Sequence, residues 1–274
     1  MRRSIADKRV ILTGASSGIG WHLALQLAQQ GAQVVVTARR SERLNELVQT
    51  FHEDRSEGAH SNISSNTRGT IIPVAGDVCD PAVQRQLIDT CQQEFGGVDI
   101  LINNAGIGAM GRFDDADDDR MRKVFDVNFF AIAELTRLAL PQLKLGNDAL
   151  IVNMSSILAH RAAPLKSEYC ASKFALHGFS DSIRAELADD GVGLLLVSPS
   201  TTDSEFFASA IEDQTGKNWK KRGSMPPEVV AAKTIRAITK RKHEIILTHG
   251  GRFLVWLDRL VPGVANRIMA RYGN

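Results

Sequence analysis

The sequence predicts an α/β protein: a single domain built on a doubly wound parallel sheet of about seven strands, with helices on both faces. Three observations predict it. Short apolar runs of strand length alternate with longer stretches of helical periodicity along nearly the whole chain. A glycine-rich turn joins the first of these runs to the first helical stretch. No composition break divides the 274 residues, and 43% hydrophobic content is enough for one sizeable core.

The elements read off in order. Residues 10–12, Val-Ile-Leu, form a short apolar run that reads as a buried strand candidate. A helix over 21–30 has Leu23, Leu27 and Ala28 on one face and stops at Gly31. A valine-rich strand spans 33–37, and a helix over 41–51 presents Leu44, Leu47, Val48 and Phe51. The third strand, 70–74, contains Pro73, which removes a ladder donor and assigns the strand to a sheet edge. A helix over 81–95 begins with proline in its first turn. Then come a strand at 99–103, one long helix over 120–144, a strand at 149–154, a helix at 169–189, and a strand at 193–198. A helix at 227–240 and a strand at 244–248 follow, and right-handed crossovers make the sheet doubly wound. Residues 52–69 hold only Ala59 and Ile63 as apolar side chains and read as a solvated loop.

Composition excludes several classes. A net charge of +2 offers no polyanion surface, and 6% aromatics offer no stacking platform for single strands, so no nucleic acid is expected as partner. Cys79, Cys91 and Cys170 form no CxxC pair, so neither a zinc ribbon nor a disulfide framework is expected. His22, His177 and His249 lack ligand spacing, and no metal site is predicted. The basic N-terminus has no apolar segment ahead of the first strand, and no run of about 18 apolar residues occurs. A cytoplasmic setting is the expectation.

The turn "TGASSGIG" sits where a strand enters and a helix leaves, which is the context a phosphate cradle needs. Its spacing is not the common G-x-G-x-x-G. Gly14 permits a backbone shape barred to other residues, Gly18 an approach of main chain to a diphosphate, and Gly20 a close helix. Ser16, Ser17 and Ile19 complete the turn, with the helix N-terminus supplying N–H groups. After the second strand the chain reads Ala38-Arg39-Arg40, where an NAD site would place an acid for the ribose 2′-hydroxyl. Arginine grips a 2′-phosphate instead, so NADP(H) is the preferred cofactor and NAD(H) the alternative.

Tyr169 and Lys173 in "YCASK" are four apart and share a helix face. An ammonium beside a phenol favours phenolate and lowers its pKa, which makes the pair a general acid/base unit. Ser155 and Ser156 stand at a strand end, Asn103 and Asn104 at another in "NNAG", and Asn128 lies in the long helix.

On these motifs together the chain resembles the short-chain dehydrogenase/reductases over nearly its full length. "TGASSGIG" matches that family's own glycine motif, "NNAG" its fourth-strand motif and "YCASK" its active-site motif. The resemblance implies a Rossmann-like fold and an oxidoreductase that interconverts a carbonyl and an alcohol. It implies that Tyr169 exchanges a proton with the substrate oxygen, Ser156 hydrogen-bonds that oxygen, Lys173 binds the nicotinamide ribose and tunes Tyr169, and Asn128 holds a water. It implies cofactor contacts from Asn104, Ala105 and Gly106, and from Asp77 with Val78 at the adenine. The family's Pro-Gly after the sixth strand is here Pro199-Ser200, with Ser204 at its threonine position. An NAD-dependent alcohol or hydroxysteroid-type dehydrogenase and a non-catalytic cofactor sensor are the alternatives.

Two further regions carry expectations. Residues 200–226 follow a strand's C-terminal end and read as a substrate lid, whose Phe206, Phe207, Ile211, Trp219 and Met225 suit a small apolar carbonyl or alcohol. Residues 252–274 form an amphipathic extension with interleaved Arg252, Arg259, Arg267 and Arg271, suited to covering the pocket or to peripheral membrane contact. A homo-oligomer pairing helices 120–144 and 169–189 is expected from the resemblance.

Overall fold

The computed structural model describes residues 2–58, 69–202, 211 and 224–272. Seven strands are joined in one parallel sheet: β1 (Arg9–Thr13), β2 (Gln33–Ala38), β3 (Thr70–Ala75), β4 (Ile100–Asn103), β5 (Leu150–Met154), β6 (Gly193–Ser198) and β7 (Glu244–Ile246). Their order is β3-β2-β1-β4-β5-β6-β7, so Pro73 does lie on an edge strand, opposite Val36. The chain winds outward from β1 to β3, then crosses back and winds the other way from β4. The crevice between β1 and β4 is the reversal point where such sheets bind ligands.

Strand periodicity divides the core in two. Val10 and Leu12, Val34 and Val36, Ile100 and Ile102, Leu150 and Val152 face one cluster, and Ile11, Val35, Leu101 and Ile151 between them face the other. The first face is covered by α1 (Gly18–Gln29), α2 (Ser41–Gly58) and α7 (Pro227–Thr239) through Leu23, Leu27, Leu44, Leu47, Val230 and Ile238. The second is covered by α3 (Pro81–Phe95), α5 (Ala131–Lys144) and α6 (Ser167–Glu186), which bring Leu87, Leu135, Leu143 and Ile183. Both faces being buried explains why the strands read as continuous apolar runs rather than alternating ones.

Three expectations change. The loop predicted from residue 52 begins later, because α2 continues to Gly58. Gln49 Nε2 donates to Glu53 Oε1 at 2.7 Å and Gln29 Nε2 to Asp54 Oδ2 at 3.2 Å, so a polar helix turn persists without an apolar face. Residues 59–68 lie outside the described residues. The long helix over 120–144 is α4 (Arg120–Phe125), a π-helical turn (Asp126–Phe130) and α5 in succession. The C-terminal extension is two helices, α8 (His249–Leu260) and α9 (Pro262–Tyr272), with Pro262 opening the second.

Candidate active site

A cleft of about 750 Å³ opens above the C-terminal ends of β1, β4 and β5. At one end stands the glycine turn. Gly14 and Gly18 have φ of 72° and 55°, the left-handed region that favours glycine. A Cβ on Gly14 would stand 2.8 Å from Ala105 Cα, and one on Gly20 only 2.1 Å from the Gly14 carbonyl oxygen. The turn is held from β4: Asn104 Nδ2 donates to the carbonyls of Thr13 and Gly14 at 3.0 Å each, and Thr13 Oγ1 accepts from the N–H groups of Asn104 and Ala105. The Asn104 amide is therefore spent on the turn, while Ala105 and Gly106 line the cleft.

Ser17 caps α1 in an extended conformation without a side-chain hydrogen bond, so first-turn N–H groups beside Gly18 and Ile19 face the cleft unclaimed by a cap. At the end of β2, Arg40 Nη2 donates to Ser16 Oγ at 3.1 Å and Arg43 Nε to the Ser16 carbonyl at 3.4 Å. The Arg43 guanidinium lies 4.9 Å over the Trp21 ring, and Arg39 lines the cleft beside them. Asp77 Oδ1 accepts from the Cys79 N–H at 2.9 Å and, with Val78, forms the opposite wall. A dinucleotide fits this end: an uncapped helix start for its diphosphate, a glycine cradle with no room for a Cβ, and guanidinium groups at the adenosine pole.

Deeper in the cleft, β5 ends at Met154 and a 3₁₀ turn (Ile157–Ala159) follows. Ser156 caps that turn by accepting from the Leu158 N–H at 3.1 Å, and the Ile157 N–H donates to the Pro199 carbonyl at 2.8 Å. Tyr169 from α6 is 6% exposed and hydrogen-bonds Ser156. One turn on, Lys173 Nζ donates to the Met154 carbonyl at 2.9 Å and lies 5.8 Å from the Tyr169 ring centre. The predicted lowering of the Tyr169 pKa by Lys173 is not what this geometry produces. Burial pushes the phenol up to about 12 against the pull of the Ser156 hydrogen bond, and burial pushes the Lys173 ammonium down to about 8. Neither charge is solvated here, so the neutral phenol, which is the proton-donating form, prevails at neutral pH.

Asn128 sits in the π-helical turn, fully buried and away from the cleft wall. Its Oδ1 accepts from the Ile107 N–H at 2.9 Å, and its Nδ2 donates to the Ile107 carbonyl and to Ser172 Oγ, each at 3.0 Å. Both amide protons are thus used to tie the "NNAG" loop to α6. A buried ion pair, unpredicted, flanks Tyr169: Arg120 Nη2 lies 2.6 Å from Glu168 Oε1, and each side chain is at most 2% exposed. Burial raises the Glu168 pKa, but Arg120, its own backbone N–H and Ser167 together hold it below the usual range.

The far end is walled by Leu254, Ile268 and Met269 from α8 and α9. Arg161 holds these helices in place, with Nη1 on Asp258 Oδ1 at 2.7 Å and Nη2 on Asn266 Oδ1 at 2.6 Å. Ser200 takes its place in the wall with Pro199. The lid is anchored at described residues: Met225 N–H donates to the Thr201 carbonyl at 3.0 Å where its two ends meet, and Ile211 N–H to the Gly108 carbonyl at 2.9 Å. Ser204, Phe206, Phe207 and Trp219 lie outside the described residues. Sequence reading missed Arg43, Arg120, Glu168 and Arg161. The helical spacing of Arg40 and Arg43 was a legible signal for the first; the other three act only across elements.

A family model for short chain dehydrogenases matches residues 8–215. The chain belongs to the short-chain dehydrogenase family. It is 39% identical over 204 residues, 74% of its length and 54% of the relative's, to 11-beta-hydroxysteroid dehydrogenase 1A of Arabidopsis thaliana. Among solved structures it resembles a short chain dehydrogenase/reductase from Burkholderia phymatum in complex with NAD (TM-score 0.82, 24% identity, 96% of each chain). It also resembles a short chain dehydrogenase from Burkholderia cenocepacia in complex with NADP (TM-score 0.74, 27% identity, 88% of this chain and 96% of that one). This short-chain dehydrogenase is an oxidoreductase acting on an alcohol/carbonyl pair with NAD(P). Among the described residues, no helix is long and apolar enough to cross a membrane.

Proposed function

We propose that the protein is an NADP(H)-preferring oxidoreductase that interconverts a small, apolar carbonyl compound and its alcohol, with Tyr169 as general acid/base. The observation that carries the cofactor preference is the convergence of Arg40 and Arg43 on Ser16 at the end of β2, with Arg43 also paired to Glu46. A 2′-phosphate gains charge-assisted hydrogen bonds there, and an acid would repel it. Titrating the purified protein with NADPH and with NADH tests this. At least tenfold tighter NADPH binding is expected; equal affinities would return the reading to an NAD-dependent alcohol dehydrogenase.

Hydride transfer is the chemistry a nicotinamide cofactor would supply when held in this cleft. The chain's own residues handle position and proton. Ser156, fixed by the Leu158 N–H, is hydrogen-bonded to Tyr169, so a substrate oxygen that displaced this bond would meet two donors. Tyr169 holds a proton at neutral pH and delivers it to that oxygen in the reductive direction. Lys173, with a pKa near 8, is poised to pass a proton toward the phenolate left behind. Asn128 holds the loop and helix on which these groups sit. The apolar wall of Leu254, Ile268 and Met269 favours an apolar substrate body.

The extension supports a second, separate reading: peripheral contact with an anionic membrane. Phe253, Trp256, Leu260 and Val264 on α8 and α9, and Val261 between them, are exposed beside Arg252, Arg259 and Arg267. Liposome flotation with and without residues 252–274 tests it, and equal recovery in the soluble fraction removes it. Exposed Phe130 and Phe174 support a homo-oligomer paired through α4–α5 and α6, which light scattering of the eluted protein checks.

A further inference from the structure

We infer a second ligand site in this protein, a transition-metal ion of the zinc type held by His160, His177 and Glu244 behind the catalytic turn. The three residues come from three different elements. His160 ends the 3₁₀ turn that follows Ser156, His177 lies one turn beyond Lys173 on α6, and Glu244 opens β7. Nothing in their spacing along the chain joins them. The fold does, because β6 brings β7 alongside the region where β5 hands over to α6.

Their potential ligand atoms all lie within 4.8 Å of one another. His160 Nε2 is 3.2 Å from Glu244 Oε1 and 3.0 Å from Ser198 Oγ, and the two imidazole rings meet edge to face with centres 4.7 Å apart. A tetrahedral centre with bonds of about 2.0–2.2 Å sets its ligand atoms roughly 3.3–3.6 Å apart. The observed spacing, at most 4.8 Å, is wider than that by about an ångström. The donor set is two imidazoles and one carboxylate. That suits zinc and its neighbours, whereas magnesium and calcium take oxygen-rich sites.

Burial gives the cluster its asymmetry. The His160 side chain is 2% exposed, His177 17% and Glu244 37%, so an ion enters past Glu244 and meets the histidines behind it. His177 supplies an independent observation. Its Nε2 faces the Asp181 carboxylate at 3.4 Å, which leaves Nδ1 as the free lone pair, and Nδ1 is buried without a hydrogen-bond partner. Such an atom costs stability unless something occupies it. With Nδ1 on a metal, Asp181 orients the ring from behind as an outer carboxylate commonly does. Asp181 also pairs with Arg184, which holds it in place. Ser198 Oγ or a water completes four ligands.

None of the three side chains lines the cleft, so the ion would not touch the reacting atoms. It would instead clamp together the turn that carries Ser156, the helix that carries Tyr169 and Lys173, and β7. The inference is independent of the cofactor and substrate readings.

The test uses the untagged full chain, stripped with chelator and dialysed. Calorimetric titration with zinc chloride should give one ion per chain, and the unfolding temperature should rise by several degrees at saturation. Cobalt(II) should give the visible absorption of a four-coordinate site. Magnesium chloride should change nothing. Glu244→Gln, a partly exposed isostere, should weaken zinc binding at least tenfold while leaving the metal-free unfolding temperature near wild type; His177→Gln should do the same to binding. If His177→Gln does not fold, Glu244→Gln decides alone. No stoichiometric zinc on the wild type, an equal response to magnesium, or unchanged zinc affinity in Glu244→Gln would each overturn the site.

Discussion

The two ends of the cleft are held by different kinds of bond. At the cofactor end each contact pairs one side chain with main chain: Asn104 and Thr13 lock the glycine turn, and glycines sit where a Cβ has no room. At the substrate end the contacts join side chain to side chain, with Arg161 reaching Asp258 and Asn266. Backbone-held geometry serves a ligand common to many relatives. Side-chain-held geometry is changed by single substitutions, which is where a substrate preference is set.

The sharpest division between the ends comes from Tyr169→Phe. It removes the proton and little volume, so turnover should fall by about 10²–10⁴-fold. NADPH affinity should stay within a few-fold in fluorescence titration, and retained turnover would refute the acid/base role. Next is the paired change Arg40→Ala with Arg43→Ala. Loss of charge-assisted bonds should weaken NADPH binding roughly 10–100-fold and leave NADH binding unchanged. An equal loss for both cofactors would place the 2′-phosphate elsewhere.

Gly20→Ala probes the backbone lock itself. A Cβ would press against the Gly14 carbonyl, costing about 1–3 kcal/mol in urea unfolding. A wild-type midpoint would show the turn to be pliable. Lys173→Met tests burial of charge at the centre. The Lys173 pKa, near 8 in the fold, lies below its ordinary ~10.4. Between those values the unfolded chain holds more protons, so this residue's contribution makes stability rise with pH from about 8 to about 10. Lys173→Met should abolish that slope, and an unchanged slope would assign it to other groups. The smallest effect is expected from Met269→Ala: a few-fold change in substrate KM with cofactor affinity untouched. A change in NADPH affinity instead would mean that the two ends are coupled.

Much of this was legible in advance. Pro73 named its strand as an edge, and the valine run at 34–36 named a strand. The cleft gathers Ser156, Tyr169, Lys173 and the predicted cofactor residues within the described chain. Asn128 was placed in the long helix, but its partners were not found, because a π-helical turn looks like ordinary helix in an apolar pattern. The helix beyond Phe51 was missed because a polar helix has no periodicity to read. The direction of the Tyr169 shift was misjudged because a four-residue spacing says two groups are near, not whether water reaches them.

What the sequence by itself determined is the order and type of the elements and the glycine, NNAG and YxxxK motifs. These are local: a turn, a period of two or 3.6, and a helix face need only neighbouring residues. What only the tertiary structure decided is which distant side chains meet. Arg161 with Asp258, Arg120 with Glu168, and His160 with His177 and Glu244 are brought together by sheet order and helix packing. Burial, which turns those meetings into strong electrostatics, exists only once the layers have closed.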